Sequence, residues 1–351
     1  MEPAISRKIA YALPSFLLGL WAFTKVNEVS GPFFEPIIAA CTNPDIDATD
    51  FASKTGYHTY EPKVGLGVFN VLVCLITQFV LELRETHPAG ILVWGGVILV
   101  SLPVCVLACL EAGRAGVRGP VRYPVAMGLL YQLFGVSIIF PMIWVPSYIF
   151  GRGKRGGPLS TFRIFTSAVL GLPGVVLTSV VFLASSDSYL WTVSAGILGG
   201  PIVALSGLVL WKDVSLSLSP TAQNVKTTIR AVKNAYRLLM LVSFVGWVCL
   251  VAIAYQSYGT SVGDIWKDIW VDANASVAFM TIDTGVFYLA LLIFVAYHSE
   301  VKAMKMLLVT PILGPGAAGC LVLRELEVET MTKYSKEHDY DLKQVERKKE
   351  A

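Results

Sequence analysis

Eight apolar stretches of about helix-crossing length, 9–24, 64–81, 89–110, 123–150, 164–184, 189–211, 238–256 and 276–297, set what this chain can fold into. A bilayer core of roughly 30 Å is crossed by about 20 apolar residues in helical form. Lipid offers no partner to backbone N–H and C=O groups, so each segment must satisfy its own. The expected fold is therefore all-α, a polytopic transmembrane helix bundle with about eight spans. Composition agrees: 54% of the 351 residues are hydrophobic and 15% are charged, against about 25% charged in a soluble domain. A ninth stretch, 306–323, is uncharged but contains Pro311, Gly314, Pro315, Gly316 and Gly319, which suits half-helices or a re-entrant segment better than a straight span. The domain reading is a bundle over 1–323 and a charged cytosolic tail over 324–351.

The basic residues orient such a bundle. With eight spans, 21 of the 28 Lys and Arg fall on one side and 7 on the other, which places both termini in the cytosol. Loop 111–122, with Arg114, Arg118 and Arg122 on the non-cytosolic side, fits that arrangement worst. The chain ends Lys348-Lys349-Glu350-Ala351, similar to the dilysine signal of endoplasmic-reticulum membrane proteins, so that membrane is the expected location. Asn274-Ala275-Ser276 is a glycosylation sequon on the luminal side, close against the eighth span. On α-helical spacing, Lys226, Arg230, Lys233 and Arg237 form a basic stripe suited to anionic headgroups or to orientation alone. Trp266 and Trp270 suit the level of the headgroups.

Several functions drop out. A net charge of +3 with dispersed basic residues gives no nucleic-acid surface. The four histidines are scattered and no CxxC occurs, so no metal is expected. Five of the six cysteines lie in apolar runs and Cys41 stands alone in a polar segment, so no structural disulfide is expected.

Depth along each span gathers the polar residues into one layer. At 1.5 Å per residue, Asp283 lies about 10 Å, Asn70 about 9 Å, and Tyr131 and Gln132 about 12–14 Å from the expected luminal ends. Glu111 caps span three there, and Glu28 and Glu35 follow span one in an apolar segment with Pro32, Phe33, Phe34 and Pro36. An ionised carboxylate in lipid is costly, so Asp283 must face the bundle interior, face a cavity, or be protonated. A protonated carboxyl can donate a proton, and an aspartate hydrogen-bonded to a neighbouring helix can equally be structural glue. Phe279 and Phe287 share its i, i+4 face, and rings so placed can stabilise a cation or pack a core. The candidate catalytic residues are Asp283, Glu35 and Glu28. The candidate pocket residues are Asn70, Tyr131, Gln132, Phe279 and Phe287.

The size, the span pattern, the segment Glu28 to Pro36 and the stretch Phe140-Pro141-Met142-Ile143-Trp144-Val145-Pro146 resemble the fungal integral-membrane terpene cyclases of meroterpenoid biosynthesis, of macrophorin and ascochlorin type. That resemblance implies protonation of an olefin or epoxide on a prenylated phenol or cyclohexenone, followed by carbocation ring closure. It implies a hydrophobic prenylated substrate drawn from the bilayer and no cofactor. The absence of a DDxxD-like motif and of a Gly-rich phosphate loop is consistent with it. The alternative is a proton-coupled secondary transporter of the endomembrane system, to which proline-broken helices and one intramembrane carboxylate are equally suited.

Overall fold

The computed structural model describes residues 5–42, 68–114, 116–152, 155, 157–168 and 221–338, without the side chains of 68–70 and 72–73. Among these residues the secondary structure is helical, with no strand. Helices are α1 (Ile5–Thr42), α2 (Val68–Glu85), α3 (Ala89–Ala112), α4 (Pro124–Phe134), α5 (Val136–Gly151), α6 (Ala222–Tyr258), α7 (Ala275–His298), α8 (Glu300–Leu313) and α9 (Pro315–Glu337). Four of them, α1, α3, α6 and α7, are long and apolar enough to cross a membrane. The protein is thus a helical membrane protein, and its eight-span reading is not reproduced among the described residues. Stretches 164–184 and 189–211 lie largely outside them.

The fourth stretch, 123–150, is not a span. The chain runs inward along α4, turns at Gly135 and returns along α5, so that the Arg118 N–H donates to the Gly151 carbonyl at 2.8 Å. Gly135 has φ 89° and ψ 143°, a conformation that L side chains avoid. A Cβ there would also stand 3.3 Å from the Asp283 carboxylate. Apolarity and length read alike for a crossing and for a folded-back pair; the glycine decides between them.

Residues 306–323 fold the same way, as the sequence allows. Gly314, at φ 80° and ψ 160°, joins α8 to α9, and Pro315 starts the second helix with its φ already set. A Cβ on Gly314 would lie 2.5 Å from Trp247 of α6. Lys305–Glu325 (2.6 Å) and Lys302–Glu329 (2.6 Å) tie the two arms. α9 continues past the expected boundary at 323 to Glu337, with Leu326 and Met331 buried; Lys348 and Lys349 lie outside the described residues.

Two ends of the bundle follow from these contacts. One holds the start of α1, where Arg7 donates to the Tyr297 carbonyl, together with the described residues of 111–122 and 151–168 and the end of α7. It carries Arg7, Lys8, Arg114, Arg118, Arg122, Arg152, Arg155 and Arg163. The opposite end holds the end of α2, the start of α3 and the start of α7, where Glu82 meets the Ser276 N–H at 3.0 Å. This corrects the expected topology twice. Loop 111–122 joins 151–163 at the basic end because 123–150 does not cross, and 82–88 joins 257–275 at the opposite end. The three arginines that fitted worst now lie with the other basic residues, as the positive-inside rule demands.

The expectation of no disulfide is also overturned. α1 does not end near residue 24 but continues as one 38-residue helix, which carries Cys41 onto a buried face beside α2. There it is bonded to Cys74, with Cα atoms 6.0 Å apart. Reading Cys41 as part of a polar loop hid the pairing.

Candidate functional site

Asp283 sits on α7 where the first hairpin turns. It is 5% exposed, and its Oδ1 accepts the Ser137 N–H at 3.1 Å. The carboxyl therefore caps the N-terminus of α5 from another helix, meeting the positive end of the helix dipole and satisfying one of the donors that a helix start leaves open. Because α5 begins inside the bundle, water cannot reach those donors, and a side-chain acceptor has to.

Phe279 and Phe287 flank this joint as their spacing implies. The Phe279 ring lies 3.4 Å from where a Gly135 Cβ would be, and meets Phe79 of α2 edge-on at 5.4 Å. Phe287 is buried and meets Phe140 edge-on at 5.0 Å. From there rings continue between α5 and α7 towards the basic end: Phe140 stacks on Trp144 (5.0 Å), Trp144 on Tyr148 (5.5 Å), and Phe294 packs against both. The local π-helical winding at Phe140–Trp144 accommodates Pro141, whose carbonyl accepts from Ser15 of α1 at 2.8 Å.

The remaining candidates divide. Tyr131 and Gln132 lie on α4, within a turn of Gly135, and the Tyr131 carbonyl accepts the Gly135 N–H at 3.0 Å. They reach the level of Asp283 from the basic end, not from the opposite one as expected. Asn70 belongs to the first turn of α2, and its side chain lies outside the described residues. Glu28 and Glu35 are exposed on α1, opposite its buried face, and Glu28 pairs with Lys25 at 2.6 Å. The structure does not bring either to Asp283. Asn274 caps α7 by accepting the Val277 N–H at 2.9 Å, while the Ser276 hydroxyl of the same sequon bonds Glu82. Both groups of the sequon are thus engaged in the folded chain. Trp266 and Trp270 are exposed near the same end, with ring centres 5.6 Å apart.

A second polar site was missed by the sequence reading. Glu111 does not join Asp283: about 22 Å of α7, fifteen residues, separates Asp283 from the end at which Glu111 lies. There Arg114 donates to Glu111 at 3.0 Å and to Glu327 at 2.6 Å, and Arg155 reaches Glu111 at 3.2 Å and Glu327 more closely still. All four side chains are at most 7% exposed. Arg155 Nη1 also lies 3.2 Å from Nδ1 and 3.1 Å from Nε2 of the His298 ring, and the Tyr148 hydroxyl lies 2.9 Å from Nε2. A guanidinium only donates, so the ring must offer it a lone pair. Two cations and two carboxylates balance. Burial acts against the Glu327 charge, yet Arg114 and Arg155 hold its carboxyl well below the usual carboxylate range. The available signal was the Glu111–Arg114 spacing of three together with three arginines on the wrong side of the topology.

No group of three or more potential metal ligands occurs among the described residues. Comparisons with protein-family models, with curated proteins and with solved structures return no match, so the chain's own residues carry the functional argument.

Proposed function

We propose that this is a metal-independent terpene cyclase of the endoplasmic-reticulum membrane, closing rings on a prenylated phenol or cyclohexenone. The observation that carries the reading is Asp283: a carboxyl inside a membrane bundle, flanked by Phe279 and Phe287 on its own helix, in no ion pair among the described residues. In the proposed step the Asp283 O–H bond breaks, its proton bonds to a terminal olefin carbon or epoxide oxygen, and the electron pair stays on the carboxylate. Rings close through carbocations whose charge the aromatic faces stabilise. A base then removes a proton to leave a new double bond, so the reaction is an isomerisation that needs no oxidant, reductant or cofactor. Exclusion of water protects the cation. Glu35 or Glu28 is the alternative donor, at a separate place on α1 that does not reach Asp283. Among the described residues we propose four crossings, α1, α3, α6 and α7, with two re-entrant hairpins and the N-terminus in the cytosol. The Cys41–Cys74 bond then lies at the opposite, luminal end, where thiols oxidise.

The same two hairpins favour a second reading, a proton-coupled transporter, because half-helices that end inside the bilayer commonly form substrate and ion sites. One experiment separates them. Microsomes bearing wild-type protein should cyclise a prenylated, epoxidised phenol or cyclohexenone, and Asp283→Asn should lower the rate about 10²- to 10⁴-fold. Asparagine keeps an acceptor for the Ser137 N–H, so folding is preserved. Activity of Asp283→Asn near wild type, with Glu28→Gln or Glu35→Gln inactive, moves the acid to α1. Wild-type protein that leaves every such substrate unchanged favours transport.

A further inference from the structure

The basic stripe of α6 has a use that orientation alone does not require. At the basic end, α6 and α9 pack side by side and border an open cleft of about 250 Å³ lined by Lys233, Arg237, Arg324, Glu325, Val328 and Glu329. The two carboxylates are already matched: Glu325 pairs with Lys305 at 2.6 Å and Glu329 with Lys302 at 2.6 Å. Lys233, Arg237 and Arg324 form no ion pair among the described residues. Three unmatched cations thus line one cleft, drawn from two helices that the tertiary fold brings together.

Its position indicates what fills it. The apolar part of α6 begins immediately after Arg237, and Leu238, Leu241, Val245 and Val248 are exposed along it. An anion held by the three cations would sit at headgroup level, with an apolar tail free to run down that face. Guanidinium groups suit phosphate oxygens because their forked N–H donors match them.

We propose that this cleft is a phosphate site that holds the headgroup of an acidic membrane lipid and so fixes α6 against α9. The test uses full-length protein purified in detergent and titrated with phosphatidic acid, phosphatidylcholine or inorganic phosphate, with binding read by native mass spectrometry. Phosphatidic acid should bind in preference to phosphatidylcholine. The triple variant Lys233→Gln, Arg237→Gln, Arg324→Gln should bind it about 100-fold more weakly, since each basic residue near a membrane surface contributes several-fold. Inorganic phosphate that binds alone, with the same sensitivity to the triple variant, retains the phosphate site but assigns its occupant to solution and overturns the lipid. Equal binding of both lipids by wild type, or phosphatidic acid binding by the triple variant within about threefold of wild type, overturns the site itself. Should the triple variant not be monodisperse, Arg237→Gln alone, at an exposed position, must weaken binding several-fold; unchanged binding refutes the proposal.

Discussion

Removing one member of the four-charge cluster should harm the fold far more than removing a balanced pair. Glu327 gives one oxygen to Arg114 and the other to Arg155, and none of the three is more than 7% exposed. Glu327→Leu leaves two buried guanidinium groups to share Glu111, an excess charge with little water to relieve it. Breaking a buried pair from one side costs about 3–5 kcal/mol. At roughly 2–4 °C per kcal/mol for a chain of a few hundred residues, the midpoint should fall on the order of 10 °C. Arg114→Leu should behave alike, leaving the carboxylates in excess. The double variant Arg114→Leu, Glu327→Leu removes one charge of each sign and leaves Arg155 beside Glu111 at 3.2 Å. It should therefore lose less stability than the two single losses added together, by several kcal/mol, because the pair's mutual attraction is counted in both. The assay is heat-induced loss of the monodisperse peak in detergent, run at one heating rate. Single losses below about 1 kcal/mol, or strictly additive ones, would refute the cluster as a coupled unit.

The same carboxylate sets an acid limit. Glu327 is held below the usual 4.5 in the fold by its two arginines, so its contribution is complete above 4.5 and is lost as pH falls below that value. Thermal midpoints of wild type should fall over that range, and Glu327→Gln should flatten the fall; equal slopes would contradict it. Maleimide labelling of denatured, unreduced protein should modify four cysteines, Cys105, Cys109, Cys249 and Cys320, and six after reduction; six without reduction would disprove the Cys41–Cys74 bond. Single cysteines at Arg118 and Thr221 should label from the same face of sealed microsomes and one at Lys267 from the other. Labelling of Arg118→Cys and Thr221→Cys from opposite faces would show that 123–150 crosses after all.

Apolar content, helical class and the polar exceptions were legible in the residues themselves, because the cost of placing each residue in lipid is largely a property of that residue. Asp283 is conspicuous on those grounds alone, and its flanking rings follow from helical spacing. Hairpin and crossing, however, bury the same apolar residues; what separates them is one positive-φ glycine whose neighbours, Asp283 at one turn and Trp247 at the other, come from distant helices. Glu111, Arg114, Arg155 and Glu327 span 216 residues from first to last, 111 to 327, and none alone signals a partner. The Cys41–Cys74 bond depended on α1 continuing through Pro32 and Pro36, which neighbouring helices permit and local propensity disfavours. Sequence determined which solvent the chain requires and which side chains cannot face it. Only tertiary structure decided where those side chains meet, because depth along a helix fixes height while packing against other helices fixes direction.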